Sequence, residues 1–357
     1  MKMLLATGGS GGHIYPALRV AEELNAAGHE VIFAGKFGVF KSVIQEKNFC
    51  IFETLVGGWS GRSFFEIWRC GYFLVRSLFQ AKKFLGDVKV DGIIGFGSYA
   101  SFPFVFMGSL AGLPVLLHEQ NVRPGKANRC LTPFARKVAI SFKASEAYFP
   151  TEKTVLTGCP CPIPDRTLSR EELYKRFQLE SGRLTILVFG GSQGSRTVNQ
   201  VFLDSISLVK DPRPIQVIHL TGSNDYEWVK ARYLAFSIPC YVQPFSKEIM
   251  KLYACADLVI CRAGAVTITE IVTLQKKTVM IPYPHADGHQ SENAWQLIEF
   301  PMFRKLEEKA LSAQTLADAV MALAQLSVED EDWKRVKEKL FFPNAAQGIA
   351  QAAVALL

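Results

Sequence analysis

Leu4-Leu5-Ala6-Thr7-Gly8-Gly9-Ser10-Gly11-Gly12-His13 is echoed 182 residues later by Ile186-Leu187-Val188-Phe189-Gly190-Gly191-Ser192-Gln193-Gly194-Ser195. In both, a short apolar run reads as a buried parallel strand that meets glycines and then an amphipathic stretch. After the first loop a helix is expected from Tyr15 to Ala27, closed by Gly28, and then a strand over Val31-Ile32-Phe33-Ala34. That is a strand–loop–helix–strand unit with its glycines at the strand's carboxyl end, where open α/β sheets bind ligands. Between the echoes lies Gly158-Cys159-Pro160-Cys161-Pro162-Ile163-Pro164-Asp165. Its prolines break any helix or central strand. The expectation is two doubly wound, Rossmann-like α/β domains facing each other across a cleft: residues 1–158, a hinge at 159–165, and 166–334.

Composition agrees with two domains. The chain has 357 residues, 49% of them hydrophobic and 20% charged. At about 150 residues per domain this is enough for two cores, and it excludes a disordered chain or a disulfide-stapled miniprotein. Eight scattered cysteines without a CxxC pair, behind a start too short for a secretory signal, fit reduced thiols in a cytoplasm. Residues 1–160 hold 18 Lys+Arg against 11 Asp+Glu, whereas 161–357 hold 22 of each, so the whole excess of +7 lies in the first half. That half is expected to face something anionic. No nucleic-acid reading motif accompanies the charge, so nucleic acid is not the expected partner.

Glycines at such turns let backbone N–H groups and a helix N-terminus approach a phosphate. The dinucleotide fingerprint fails, because Ile14 stands at its third glycine and the next strand ends in Gly35-Lys36 rather than an acid. Neither loop supplies a Walker sequence. His13, at the expected helix start, suits a general base, since a helix N-terminus disfavours its protonated form; a capping or packing role is the alternative. In the second half, Ala256–Cys261 reads as a strand, followed by Arg262-Ala263-Gly264-Ala265 and a helix beginning near Val266-Thr267-Ile268-Thr269-Glu270. Glu270, placed in a first helical turn, either complements the helix dipole or accepts two hydroxyls of a ribose. Strand Val279-Met280-Ile281-Pro282 leads to His285-Ala286-Asp287-Gly288-His289-Gln290. No third His or Cys lies at ligand spacing there, so no metal is expected. Sugar hydroxyls suit those side chains better.

These motifs together resemble the glycosyltransferases of the GT-B fold. More narrowly they resemble family 28, the N-acetylglucosaminyltransferases of peptidoglycan synthesis. The resemblance runs end to end, through Gly8–His13, Gly95-Phe96-Gly97-Ser98-Tyr99, His118-Glu119-Gln120-Asn121, Gly190–Gly194, Cys261–Glu270 and Asp287–Ala294. His118-Glu119-Gln120-Asn121 with Gly264-Ala265-Val266-Thr267 is its most specific part. It implies transfer of GlcNAc from UDP-GlcNAc to the C4 hydroxyl of MurNAc in undecaprenyl-pyrophosphoryl-MurNAc-pentapeptide (lipid I), giving lipid II, with inversion and with no cofactor or metal. Carried over by motif, Ser192 and nearby amides hold the donor diphosphate. Ala265, Val266 and Thr267, with Ile268 and Thr269 on the same turn, flank the nucleotide, and Glu270 takes its ribose. Gln290, with His289, reads the GlcNAc hydroxyls. Ser10, Gly11 and Gly12 approach the donor from the other side and Asn121 sits at the sugar. Gly97, Ser98, Tyr99, His118 and Glu119 fall on the acceptor side, and His13 takes the acceptor proton.

Two positions depart from the family. Gly158-Cys159-Pro160-Cys161-Pro162 replaces Gly-Asn-Pro-Val-Arg and lacks its Arg, for which Arg166 is a candidate substitute; Ser246 replaces an aliphatic residue against the uracil. Residues 62–85 fit a helix with Arg62, Glu66, Arg69, Arg76, Gln80 and Lys83 on one stripe among Phe64, Phe65, Ile67, Trp68, Phe73, Leu74, Leu78 and Phe79. A basic stripe beside aromatic residues is the pattern of an interfacial helix, so peripheral binding to an anionic membrane is expected, at the cytoplasmic face of the inner membrane. A core helix with one solvated face is the alternative. Residues 100–117 are apolar but broken by Pro103, Gly108, Gly112 and Pro114, and are not read as a span. By family likeness a final helix, 335–357, is expected to cross back to the first domain. The rival functions are another lipid-directed enzyme of this fold, such as a diacylglycerol glycosyltransferase, and a non-catalytic nucleotide-sugar-binding subunit.

Overall fold

A computed structural model describes the chain except residues 55–63, 163–167, 210–213, 237 and 285–287; of 64–69 only the helical backbone is described. The chain divides into two compact units, Met1–Cys161 with Phe342–Leu357, and Pro162–Phe341.

The first unit begins β1 (Lys2–Gly8), α1 (Gly11–Ala26), β2 (Glu30–Lys36), α2 (Lys41–Glu46), β3 (Cys50–Glu53) and α3 (Phe64–Asp87). It continues β4 (Gly92–Gly95), α4 (Phe102–Leu110), β5 (Val115–Glu119), α5 (Lys126–Leu131), β6 (Lys137–Ile140) and β7 (Thr154–Leu156). The seven strands form one parallel sheet, ordered β3-β2-β1-β4-β5-β6-β7. In β1, Met3 and Leu5 enter the core under α1, while Leu4 and Ala6 enter the core on the opposite face. Burial on both faces turns the period-2 pattern into the continuous apolar run seen in the sequence, and each buried Met or Leu contributes about 1.5–3 kcal/mol.

The second unit runs α6 (Arg170–Arg176), β8 (Leu184–Phe189), α7 (Arg196–Ser205), β9 (Ile215–Leu220), α8 (Tyr226–Leu234), β10 (Cys240–Gln243) and α9 (Ile249–Cys255). It ends β11 (Leu258–Cys261), α10 (Ala265–Thr273), β12 (Lys277–Met280), α11 (His289–Trp295), β13 (Phe303–Lys305), α12 (Ala313–Gln325) and α13 (Asp330–Leu340). Its six parallel strands are ordered β10-β9-β8-β11-β12-β13. In both sheets the order reverses beside the strand that carries the glycine loop (β1 and β8), which is where such sheets bind ligands. The last helix, α14 (Ala345–Val354), packs on α1, β4 and β5 of the first unit through Ile349, Ala350 and Ala353.

Four expectations are corrected. The single helix expected over 335–357 is two: α13 ends at Leu340, and Pro343, which has no N–H to give, lies in the link before α14. Helix α1 starts at Gly11 rather than Tyr15, so Gly11, Gly12 and His13 lie in its first turn. Glu270 is not in a first helical turn, because Gly264 is the N-cap of α10 and places Glu270 in the second. The strands read as Ala256–Cys261 and Val279–Pro282 are Leu258–Cys261 and Lys277–Met280. Arg62, the hinge residues from Ile163 with Arg166, and His285-Ala286-Asp287 lie outside the described residues, as do the side chains of 64–69.

Candidate active-site loops

In the first unit the loops after β1, β4 and β5 converge on His13. The third residue of α1, it is half-buried, with Nδ1 2.8 Å from the Phe96 carbonyl oxygen and 2.6 Å from Gln120 Nε2. Gly97 makes this approach possible: its φ is +77°, and a Cβ there would sit 3.3 Å from His13 Cε1. Ser98 follows with φ +71° and a buried hydroxyl that meets no hydrogen-bond partner among the described residues, and Tyr99 is exposed. A non-glycine residue held left-handed between two loops is a strained position of the kind that clusters at functional sites.

His118 and Glu119 point inward. His118 is fully buried, with Nε2 3.2 Å from Ser141 Oγ, and burial pushes its imidazole down to about 3, so it stays neutral. The Glu119 carboxylate accepts from Asn121 N (2.9 Å), Gly125 N (3.0 Å) and the side-chain amides of Asn121 (3.2 Å) and Asn128 (2.9 Å). Those bonds shape the loop that presents Asn121, which is half-buried. Ser10 and Gly12 are exposed and Gly11 is buried; Ser10 is the N-cap of α1 but its side chain caps no N–H.

In the second unit the loops after β8, β11 and β12 are tied by Arg262. This guanidinium, 7% exposed, donates to Ser195 Oγ (2.7 Å), the carbonyls of Ile281 (3.1 Å) and Pro282 (3.2 Å), and Glu308 Oε2 (2.6 Å). Four acceptors around one buried cation satisfy its fork geometry and fix three loops at once. Ser192 stands exposed at the tip of the β8 loop. Gln290 Oε1 accepts from the backbone N–H of Ala263 (3.2 Å) and Tyr283 (2.9 Å), so its carbonyl aligns two loops. His289 opens α11 behind Gly288.

Helix α10 starts at Ala265 behind the N-cap Gly264, which has no side chain to cap it, so among the described residues the N–H groups of Ala265, Val266 and Thr267 stand as open donors at a positive helix end. Ile268 and Thr269 are buried, and the Thr269 hydroxyl donates to the Ala265 carbonyl at 3.1 Å. Glu270 is 7% exposed; burial raises its carboxyl to about 7, against the opposing pull of the Tyr253 hydroxyl that donates to it at 3.0 Å. Ser246 lies past β10 and accepts from the Glu248 N–H at 3.0 Å, so its hydroxyl serves a turn. Among the described residues no three His, Cys, Asp or Glu side chains form a metal-ligand group.

Sequence reasoning quoted Arg262 and Gln120 inside motifs without giving either a task. It also missed the buried His219–Asn199–Asp225 chain beneath the β8 loop. There His219 Nε2 meets Asn199 Oδ1 at 3.0 Å, and Asn199 Nδ2 donates to Asp225 Oδ2 at 2.9 Å and to the Thr221 carbonyl at 2.9 Å. These partners are 19 to 107 residues apart, and no local pattern announces them.

Known proteins share this two-unit fold. Residues 3–140 match the N-terminal domain of glycosyltransferase family 28 and residues 185–349 its C-terminal domain. The UDP-N-acetylglucosamine–N-acetylmuramyl-(pentapeptide) pyrophosphoryl-undecaprenol N-acetylglucosamine transferase of Thermodesulfovibrio yellowstonii is 34% identical, covering 100% of this chain and 99% of its own. The Myxococcus xanthus enzyme of the same name is also 34% identical, over 100% and 93%. The crystal structure of Acinetobacter baumannii MurG superposes with a TM-score of 0.75 at 26% identity, over 99% of both chains. A UDP-GlcNAc 2-epimerase from Neisseria meningitidis shares the fold, with a TM-score of 0.69 at 14% identity over 99% of this chain and 100% of its own. Two parallel α/β units, each closing its loops at the strand ends, and full-length likeness to these transferases place the chain in glycosyltransferase family 28, with the GT-B fold.

Proposed function

We propose that the chain transfers GlcNAc from UDP-GlcNAc to the C4 hydroxyl of MurNAc in lipid I, making lipid II, with inversion and without a metal on the diphosphate. The observation that carries this reading is the second unit's loop set, in which Arg262 and Gln290 hold three loops around an uncapped helix N-terminus. Departing UDP gains negative charge. Without a metal, that charge must meet fixed N–H donors, and the first turn of α10 and the β8 loop around Ser192 offer them. Glu270 takes the ribose hydroxyls and the Gln290 amide reads the sugar.

In the first unit His13 acts as the base. As the C4 oxygen bonds to the anomeric carbon, the bond from that carbon to the UDP oxygen breaks and the hydroxyl proton passes to His13. One displacement from the face opposite the leaving group inverts the centre. The test is UDP release from UDP-GlcNAc with a lipid I analogue in EDTA. Acceptor-dependent release is the expected result. Donor binding without release would overturn it in favour of another lipid acceptor or a binding subunit.

The same reading puts the enzyme at the cytoplasmic face of the inner membrane, bound peripherally. Support comes from α3, whose exposed face sets Tyr72 (54% exposed), Val75 (52%) and Phe79 (70%) beside Arg76, Lys82 and Lys83. Large apolar side chains in water beside cations suit a headgroup–acyl boundary. Among the described residues no helix is long and apolar enough to cross a membrane. Failure to sediment with anionic vesicles at low salt would sink this placement.

A further inference from the structure

We propose that Gln120 is a positioning residue that holds His13 in the Nδ1–H tautomer and steadies the imidazolium formed during transfer. The proposal rests on His13 being the base. Gln120 is 5% exposed, and the only side chain or backbone group it meets in a hydrogen bond among the described residues is the His13 ring. Burying an amide is costly unless it is hydrogen-bonded, so that single contact has to be a good one.

The geometry fixes which kind of bond it is. The Phe96 carbonyl oxygen only accepts, and at 2.8 Å it requires the hydrogen to sit on Nδ1. A nitrogen carrying hydrogen cannot accept from the Gln120 NH2 at 2.6 Å. The oxygen and nitrogen of a side-chain amide are assigned from their partners. Turning this amide over presents Oε1 to the Nδ1–H and gives that oxygen, otherwise buried without a partner, its hydrogen bond. One change thus resolves both a donor–donor clash and an orphaned acceptor. It leaves Nε2 as the basic nitrogen of the ring.

The arrangement also answers an electrostatic difficulty. His13 lies in the first turn of α1, where the helix dipole opposes a positive imidazole. Two acceptors on Nδ1–H offset that, and both bonds strengthen once the ring is charged. Of the other titratable groups, His118 is near enough for its ring and that of His13 to repel each other when both are charged. From β5, His118 is neutral above about pH 3 and the Glu119 carboxylate is occupied by the Asn121, Gly125 and Asn128 donors; Tyr99, on the β4 loop, is exposed.

The experiment compares the pH dependence of kcat/KM for wild type, Gln120→Met, Gln120→Glu and His13→Ala, with UDP release as the readout. Gln120→Met keeps the volume and loses the acceptor. It is expected to lower kcat about 10- to 100-fold, less than loss of the base itself, with KM little changed and the acidic limb moved to lower pH. Gln120→Glu supplies a charged acceptor and should move that limb to higher pH. A merely structural role does not shift the limb in opposite directions. A limb abolished by His13→Ala yet unmoved in both Gln120 variants overturns the positioning role alone. A limb that survives His13→Ala overturns the base reading instead. Nitrogen NMR of labelled histidine in the wild-type protein gives an answer free of folding effects in the variants, and an Nε2–H tautomer at His13 would also overturn the proposal.

Discussion

The two glycine loops begin alike and end differently. After β1, Ser10 caps nothing and the helix it precedes carries His13 in its first turn. After β8, the Ser195 hydroxyl accepts from the Val198 N–H and also from Arg262, and α7 is closed. Gly194 is pressed so tightly against the turn after β9 that a Cβ would lie 2.1 Å from the Thr221 carbonyl oxygen. The second loop is therefore partly a girder, and the unit's uncapped helix end belongs to α10, after Gly264. A strand–glycine–helix pattern thus identifies a turn at the strand end, while the N-cap side chain and its partners decide whether that turn is available to a ligand.

The largest effect expected from this contrast is catalytic. His13→Ala should lower kcat by about 10²- to 10⁴-fold with donor affinity retained, because general-base loss leaves the second unit untouched. Equilibrium binding of UDP-GlcNAc beside single-turnover rates separates the two quantities. Donor affinity falling in step with the rate would show that the units do not divide the labour.

Arg262→Met should act in the opposite sense. Breaking a buried ion pair costs about 3–5 kcal/mol, and the exposure of Glu308 puts this case at about 3. Urea unfolding should show the loss, and donor affinity should fall as the three loops come apart. Ser10→Ala, by contrast, should stay within about 0.5 kcal/mol of wild type, since its side chain caps nothing. Equal costs at the two sites would break the comparison.

Glu270 gives the same unit a pH dependence. Its folded-state carboxyl titrates near 7 against an ordinary 4.5, so the folded chain holds the extra proton between those values. Folding stability therefore falls as pH rises from about 4.5 to 7, by up to about 3 kcal/mol, and the full penalty persists above 7. Ribose hydroxyls donate to the ionised form, so donor affinity should instead rise with pH, by up to about tenfold per unit below 7. Glu270→Gln should flatten both curves, stabilise the protein at pH 8 and weaken donor binding. A variant that binds the donor as wild type does, with a flat pH profile, removes Glu270 from the ribose.

Much of this was legible in the sequence where one element carries the signal. Strands β1 and β8 are apolar runs because both faces are covered, and Gly28 ends α1 near where the pattern stops, with φ +80°. Helix starts were less legible. Gly11 and Gly12 read as loop because glycine weakens helices, yet tertiary packing places them in the first turn of α1. The α13–α14 break was missed because a family likeness, rather than Pro343, was followed. Glu119 shows the limit at the site. Its motif was recognised, but only the fold reveals that its carboxylate faces four N–H donors, three of its own loop and one from Asn128 on α5. Arg262 and Gln120 were out of reach for the same reason, their partners being far apart in the chain.

The smallest expected effect is also the sharpest test of what the glycines hold. Gly9 has φ +87° and Gly191 φ +93°; a Cβ on Gly9 would come no nearer than 3.9 Å to a neighbour, and one on Gly191 would meet nothing within 4 Å. Neither Gly→Ala change causes a clash, so each should cost about 1 kcal/mol of left-handed strain and no more. Stability will not tell the two loops apart, but donor affinity should. At Gly191 the added methyl stands beside the amides proposed to meet the diphosphate, and a hydrogen bond to a charged group is worth about 1.5–3 kcal/mol, or roughly tenfold or more in Kd. At Gly9 the loop carries the base and is read as meeting the donor only from the other side, so the Kd for UDP-GlcNAc should change less. Titration calorimetry with both variants decides it, and equal Kd values would leave the diphosphate to the N-terminus of α10 alone.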